Sequence, residues 1–128
     1  MSLRTPMSRV LGSGPARGGA VHHWWVQRLT SIALVPLTLW LLLSLLSLSL
    51  ADHAAVTHWI GSNLNPLWLT LTVAVMAWHS VLGVQVVIED YVHGAAAKTF
   101  ALFLNQFVHW LSAAVAVYAV LHIAFRGA

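Results

Sequence analysis

Three apolar runs, each long enough to cross a lipid bilayer as an α-helix, constrain this chain more than any other feature of its sequence. They cover about residues 29–50, 66–88 and 99–124. At ~1.5 Å per residue the first run extends roughly 33 Å as a helix, which matches the hydrocarbon thickness of a bilayer. Pro36 lies inside this run and should kink the helix, which neighbouring helices tolerate in a membrane. The sequence therefore predicts an all-α membrane protein with three transmembrane helices.

The scarcity of charge excludes a soluble domain beside these spans. Only 7% of the 128 residues are charged and 59% are hydrophobic, whereas soluble domains carry about 25% charged residues. The chain has no cysteine, which excludes disulfides and thiolate ligands for metals, haem or iron–sulfur clusters within it. Its eight histidines are therefore the best candidate metal ligands. Membrane topology accounts for the net charge of +3, and no nucleic-acid partner is expected.

The domain plan is a tail followed by one membrane domain. Residues 1–20 are rich in Gly, Ser, Pro and Arg and contain no acid, which predicts a flexible N-terminal tail. An organelle transit peptide has a similar composition, and that interpretation stays open. Residues 21–128 are expected to form the membrane domain. In a three-span topology one side carries five of the six basic residues, so the N-terminus should face the cytoplasm or matrix. These five are Arg4, Arg9, Arg17, Arg28 and Lys98.

Two connections join the spans. Residues 51–65 form a polar loop in which a few apolar residues, such as Val56 and Trp59, have helical spacing. This spacing predicts a short helix lying on the membrane surface. Residues 89–98 form a short turn in which Gly94 should terminate a helix.

His79 is the most unusual residue of the apolar runs, since it lies near the middle of the second span. An imidazole at this depth needs partners for its ring nitrogens, and the sequence allows a hydrogen bond between helices or an axial bond to haem iron. Gly83 lies one turn further on the same face, where a small residue lets a flat macrocycle or another helix come close. Asp90 should project from nearly the same face, roughly 16 Å further along the axis.

Polar residues are expected to converge where the first span begins and the second ends. Antiparallel spans place His22 and Arg28 at the same membrane face as Asp90 and Tyr91. An Asp and a Tyr can donate and accept hydrogen bonds and influence proton delivery, and the forked donors of Arg28 suit a carboxylate or a haem propionate. Ordinary interpretations stay open: an interfacial anchor for the Asp–Tyr pair, and a snorkelling, topology-setting charge for Arg28.

His109 lies in the third span at nearly the depth of His79. Two haem arrangements therefore stay open: both axial ligands from this chain, His79 and His109, or His79 paired with a histidine of another subunit. A third possibility has no redox role. In it the histidines only join helices, and the chain is a structural membrane scaffold or a subunit of a transporter.

The run His79-x3-Gly83-x6-Asp90-Tyr91 resembles the hydrophobic membrane anchor of succinate dehydrogenase, also called respiratory complex II. The start of the first span is similar to the same family, with a histidine and an arginine, His22 and Arg28, six residues apart. The resemblance covers nearly the whole chain from about residue 19. It implies a subunit that forms part of a heteromeric helix bundle.

The resemblance also implies a role for each matching residue. His79 would be one axial ligand of a b-type haem, with the second ligand contributed by the companion anchor subunit. Tyr91 would hydrogen-bond a quinone carbonyl, and Asp90 would help to arrange that site. Arg28 would serve the haem propionates, and His22 lies in the haem and quinone region.

The expected assembly contains a companion membrane anchor subunit, an iron–sulfur subunit and a flavoprotein subunit. Succinate oxidation, a step of the tricarboxylic acid cycle, would take place in the other subunits. This chain would attach them to the membrane and help to pass electrons to ubiquinone. The expected location is the inner, cytoplasmic membrane of a bacterium, and the alternative is the mitochondrial inner membrane.

Overall fold

The computed structural model describes residues 15–126, and it describes side chains from residue 21 onward. Four helices follow one another along this part of the chain: α1 (Pro15–Ser47), α2 (His53–Gly61), α3 (Asn65–Tyr91) and α4 (Ala95–Arg126). Three of them, α1, α3 and α4, contain segments that are long and apolar enough to cross a membrane. The prediction of an all-α membrane protein with three spans is confirmed.

The long helices extend beyond most ends of the apolar runs that predicted them. α1 begins at Pro15, inside the stretch that was expected to be a flexible tail, and residues 1–14 lie outside the described part of the chain. Proline suits the first turn of a helix because the N–H that it lacks would have no partner there. α1 continues through Pro36 and ends at Ser47, three residues before the end of the first apolar run.

The short helix α2 confirms the prediction of a helix in the polar loop. Asp52 caps its N-terminus, because the carboxylate accepts a hydrogen bond from the backbone N–H of Ala55 at 2.8 Å. After α2 ends, Asn63 adopts a left-handed φ of 51°, a conformation that asparagine tolerates. The side chain of Asn65 then donates to the carbonyl of Trp59 at 2.7 Å, which ties the start of α3 to α2.

α3 is the central helix of the fold. It packs against α1 on one side and α4 on the other, whereas α1 and α4 make no contact in the described part of the chain. α2 packs against α3 and α4 at the end of the bundle that holds the 48–64 connection. At this end the ring of Trp40 lies 5.9 Å from that of Trp59 and 6.1 Å from that of Trp68, which joins α1, α2 and α3.

This open layer of helices buries little of its own surface. Among the described side chains only six are buried, and three of these are polar: Thr30, Thr72 and Asn105. Most large apolar side chains are exposed. A chain with such surfaces is stable only when lipid or other helices cover them.

Candidate functional site

His79 lies at the contact between α3 and α1, and its ring is held by Thr30. The Nδ1 atom of His79 is 3.0 Å from the hydroxyl oxygen of Thr30. That oxygen is also 2.9 Å from the carbonyl oxygen of Val26 and 3.0 Å from that of Gln27. The second ring nitrogen of His79, Nε2, makes no hydrogen bond to any described residue. His79 therefore has one nitrogen fixed and one nitrogen available.

Gly83 lies one turn along α3 from His79 and faces α1 as well. A methyl group built on Gly83 would lie 3.6 Å from the side-chain nitrogen of Gln27, which is an ordinary contact distance. The close approach that the sequence predicted at Gly83 is therefore an approach of α1. Because this contact is not tight, an alanine would fit at this position in the isolated chain.

Two buried polar atoms of α1 have no partner among the described residues. They are Nε2 of His23 and Oε1 of Gln27, which lie one helical turn apart on α1. Buried polar groups in proteins nearly always have hydrogen-bond partners. We call the contact surface of α1 and α3 that contains His23, Gln27, Thr30, His79 and Gly83 the α1–α3 seam. It presents three nitrogen or oxygen atoms that water, a cofactor or another subunit can satisfy.

Asp90 and Tyr91 end α3 and are open to the surroundings. The side chain of Asp90 is exposed, and Tyr91 is 78% exposed. Their neighbour Glu89 is engaged within the chain, because its carboxylate accepts from Gln85 at 2.7 Å and its carbonyl oxygen accepts from Lys98 at 2.9 Å. Asp90 and Tyr91 make no side-chain hydrogen bond to any described residue, so other molecules can reach both.

His22 and Arg28 lie at the same end of the bundle as Asp90 and Tyr91, but the four do not form one cluster. Arg28 is exposed, and its guanidinium lies 5.0 Å from the ring centre of Trp24 in a cation–π contact. His22 is exposed as well. The contact of Gln27 with Gly83 sets the register of the helices, and at ~1.5 Å per residue the backbone of Arg28 lies about 13 Å deeper than that of Tyr91. Within the described side chains, no hydrogen bond or ion pair joins any two of the four.

By the same measure Arg28 lies within about 5 Å of the level of His79. Arg28 is thus closer in depth to His79 than to Tyr91. The polar residues at this end occupy two levels, one with His79 and Arg28 and one with His22, Asp90 and Tyr91.

His109 lies on the opposite side of α3, and both of its ring nitrogens are engaged. Its Nδ1 is 2.8 Å from the carbonyl oxygen of Asn105, and its Nε2 is 2.8 Å from the hydroxyl of Ser80. A carbonyl oxygen only accepts, so Nδ1 carries the proton and Nε2 accepts from Ser80. The amide of Asn105 also donates to the carbonyl oxygen of Val81 at 3.0 Å. We call this contact of α3 with α4 the α3–α4 seam. It leaves His109 no free nitrogen for a metal.

Sequence reasoning assigned no role to Thr30, Gln27, Ser80 or Asn105. Each is a polar residue inside or beside an apolar run, which is the one signal that could have pointed to them. That signal does not say which residue meets which. In the part of the chain that the structure describes, no three His, Asp or Glu side chains are grouped as a metal site.

The arrangement at His79 fits an axial ligand of haem. Such a ligand needs one imidazole nitrogen free for iron, and the other nitrogen usually donates to a fixed acceptor. The ring of His79 is only partly buried, and Oε1 of Gln27, about one turn from Thr30 on α1, is an unpartnered polar atom. Of the two histidines at this depth, His79 keeps a free nitrogen and His109 is engaged at both.

Comparisons with known proteins agree with one another. A family described as "Succinate dehydrogenase/Fumarate reductase transmembrane subunit" matches residues 1–125 of the chain. A succinate dehydrogenase hydrophobic membrane anchor subunit of Rickettsia bellii (strain RML369-C) is 36% identical over 90 residues, which are 70% of this chain and 71% of the relative. A succinate dehydrogenase membrane anchor subunit of Reclinomonas americana is 33% identical over 89 residues, which are 67% and 74% of the two chains.

The similarity to a third relative extends over almost the full length. The succinate dehydrogenase hydrophobic membrane anchor subunit of Paracoccus denitrificans is 29% identical over 121 residues, which are 94% of this chain and 92% of the relative. No solved structure shows a significant match to the chain.

Proposed function

The chain belongs to the family of succinate dehydrogenase membrane anchor subunits, and we propose that it supplies one axial ligand to a haem b and half of a ubiquinone site. In this proposal it attaches an iron–sulfur subunit and a flavoprotein subunit to the membrane. A companion anchor subunit provides the second haem ligand. Electrons from succinate reach ubiquinone at the end of α3, and the oxidation of succinate takes place elsewhere in the complex.

The observation that carries the haem half is the hydrogen bonding of His79. Its Nδ1 is held by Thr30 at 3.0 Å, and its Nε2 has no partner among the described residues. Haem b, when bound, accepts and gives up one electron at a time. The chain's own contribution is to hold the imidazole plane and keep Nε2 unprotonated. Arg28, near the same depth and exposed, would bind a propionate through its forked donors.

The quinone half rests on Asp90 and Tyr91. The Tyr91 hydroxyl is a donor at an exposed helix end, and a quinone carbonyl oxygen gains negative charge as it is reduced. A donor placed at that oxygen stabilises the charge where it develops. Asp90 beside it can pass a proton toward the quinone oxygen or hold water that does so. At ~1.5 Å per residue Tyr91 lies about 18 Å from His79 along α3, so haem and quinone would occupy two levels.

The placement of basic residues supports the proposed orientation. In the described part of the chain Arg17, Arg28 and Lys98 lie in the half of the bundle that holds Tyr91, and Arg126 lies at the opposite end. Arg4 and Arg9 precede the described residues and belong with the first end in the sequence. The excess predicts that this end faces the cytoplasm, or the matrix in a mitochondrion. The quinone site would then lie on the side where soluble catalytic subunits bind.

Substitution of Tyr91 by phenylalanine in the assembled complex tests the quinone half. Loss of a hydrogen bond of ~1.5–3 kcal/mol to a developing charge should lower ubiquinone reduction by about tenfold to a hundredfold. Succinate oxidation with a soluble electron acceptor should not change. Tyr118→Phe is the matched control, because Tyr118 is a similarly exposed tyrosine (68%) in the half of α4 that leads away from Tyr91. Equal ubiquinone reduction by the two variants would contradict the assignment of Tyr91.

A reduced-minus-oxidised spectrum of the purified wild-type complex tests the haem half. The expected result is the band of a low-spin b-type haem with two histidine ligands. If the complex contains no such band, His79 has a structural role and the quinone half of the proposal stands alone.

A further inference from the structure

Thr30 is the only described residue that is hydrogen-bonded to a ring nitrogen of His79. It lies on α1 and is 8% exposed, although its neighbours on the helix surface include many exposed residues. Among the described residues its hydroxyl makes the only hydrogen bond between α1 and α3. A buried hydroxyl at such a contact between two membrane helices needs partners on both sides, and Thr30 has them.

The three neighbours of the Thr30 hydroxyl fix the direction of each hydrogen bond. Two are the carbonyl oxygens of Val26 and Gln27, which can only accept, and the third is Nδ1 of His79. A hydroxyl has a single proton to donate. If that proton goes to a carbonyl oxygen, the hydroxyl oxygen is free to accept a proton from Nδ1. A hydroxyl that donates is also a better acceptor, since hydrogen bonds in a chain polarise one another.

If the Thr30 hydroxyl donated to Nδ1 of His79 instead, fewer polar groups of the α1–α3 seam would have hydrogen-bond partners. If Thr30 donated to Nδ1, the neutral ring of His79 would carry its proton on Nε2, which has no acceptor among the described residues. Neither carbonyl would then receive the hydroxyl proton. Nε2 would also lose the lone pair that an iron ligand requires.

We propose that Thr30 is a positioning residue for His79: its hydroxyl oxygen accepts the Nδ1 proton and so holds the imidazole in the tautomer whose Nε2 can bind iron. This inference rests on the proposed haem function of His79. Through Thr30 the rotation of α1 relative to α3 sets both the tautomer and the plane of the ring. Donation from Nδ1 also makes the ring a stronger ligand for oxidised iron.

Thr30→Val in the assembled complex removes the hydroxyl and keeps the shape of the side chain. Loss of the acceptor should make haem retention about tenfold weaker or more. It should also move the haem midpoint potential to more positive values and shift the low-spin electron paramagnetic resonance signal. Haem content per flavin, a redox titration and the resonance spectrum are the three measurements.

Two further variants separate positioning from packing. Thr72→Val removes another buried hydroxyl, which donates to the carbonyl of Trp68 at 2.7 Å on α3 and makes no hydrogen bond to a described histidine. It should leave all three haem measurements unchanged. Thr30→Ser keeps the hydroxyl and should restore the wild-type potential and resonance signal. Thr30→Ala replaces Thr30→Val if the valine does not assemble, because it removes the same hydroxyl and adds no bulk.

The outcomes distinguish this inference from the proposed function. A Thr30→Val haem with the potential and resonance signal of Thr72→Val would overturn the positioning role and leave the haem function intact. If neither Thr30→Val nor Thr30→Ala assembles while Thr30→Ser does, the hydroxyl is needed to join α1 to α3, and that outcome would overturn a role confined to positioning His79. A His79→Ala complex that keeps an unaltered haem would instead overturn the haem function itself.

Discussion

The two seams of α3 contain adjacent residues, His79 and Ser80, yet the hydrogen bonding of the mid-depth histidine differs between them. Successive residues of a helix are ~100° apart, so His79 faces α1 and Ser80 faces α4. In the α1–α3 seam His79 has one partner, Thr30, and one free nitrogen. In the α3–α4 seam His109 is bonded at both nitrogens, to Asn105 and Ser80.

The α3–α4 seam only joins two helices, whereas the α1–α3 seam also has polar atoms free to bind a cofactor or another subunit. Between membrane helices the hydrophobic effect is weak, so hydrogen bonds and close packing provide the association. The α3–α4 seam provides such bonds and nearly exhausts its polar groups, with Oδ1 of Asn105 as its one buried atom lacking a partner among the described residues. The α1–α3 seam keeps three unused nitrogen or oxygen atoms along its length, on His23, Gln27 and His79, which a cofactor or another subunit can satisfy.

The largest expected effect comes from removing each histidine in turn. His79→Ala should abolish the haem b band of the complex, since no other histidine with a free nitrogen lies in this seam at the depth of His79. His109→Ala should keep the band, because both of its nitrogens are engaged within the chain. The reduced-minus-oxidised spectrum measures both. A band lost in His109→Ala and kept in His79→Ala would reverse the comparison of the seams.

A bulky residue at Gly83 should have the next largest effect. Gly83→Leu would push against Gln27 of α1 and cost about 1–3 kcal/mol of stability through overpacking. Gly83→Ala is the control, because its methyl group would make only a 3.6 Å contact and alanine favours the helix by up to ~1 kcal/mol. Thermal dissociation of the complex and its haem content are the measurements. Similar behaviour of both variants would mean that α1 approaches α3 less closely in the complex.

A smaller effect is expected in the α3–α4 seam. Ser80→Ala would leave Nε2 of His109 without its donor and cost ~1 kcal/mol, in the range measured for hydrogen bonds between membrane helices. The temperature at which the complex dissociates should fall by a few degrees, while the haem spectrum should not change. A shifted haem spectrum in this variant would show that the two seams are coupled through α3.

The smallest effect is expected at Gln27. Its Oε1 has no partner among the described residues, so Gln27→Leu should change the stability of the complex by less than ~0.5 kcal/mol or raise it slightly. The same thermal measurement applies. A loss of ~1–3 kcal/mol would show instead that a donor from a cofactor or another subunit satisfies this atom in the complex.

Much of the fold could be predicted from the sequence because the bilayer permits few solutions. A long apolar run must satisfy its backbone hydrogen bonds internally, so it becomes a helix. The three spans and the short helix α2 follow from run length and spacing. The start of α1 at Pro15 could not be predicted from run length, because a helix that already crosses the bilayer extends into flanking sequence at little further cost in free energy. His79 stood out because an imidazole inside an apolar run is rare and costly.

The sequence could not predict which side chains pair across the helix contacts. Thr30 and His79 are 49 residues apart, and their contact depends on how α1 is rotated against α3. In a soluble protein an apolar stripe would indicate that rotation. Here the faces toward lipid and the faces toward other helices are both apolar, so the pattern does not distinguish them. The sequence alone determined three membrane helices, a histidine at mid-depth and an Asp–Tyr pair at a helix end. Only the tertiary structure decided that His79 keeps a free nitrogen and His109 does not, because that depends on which polar groups meet across each seam.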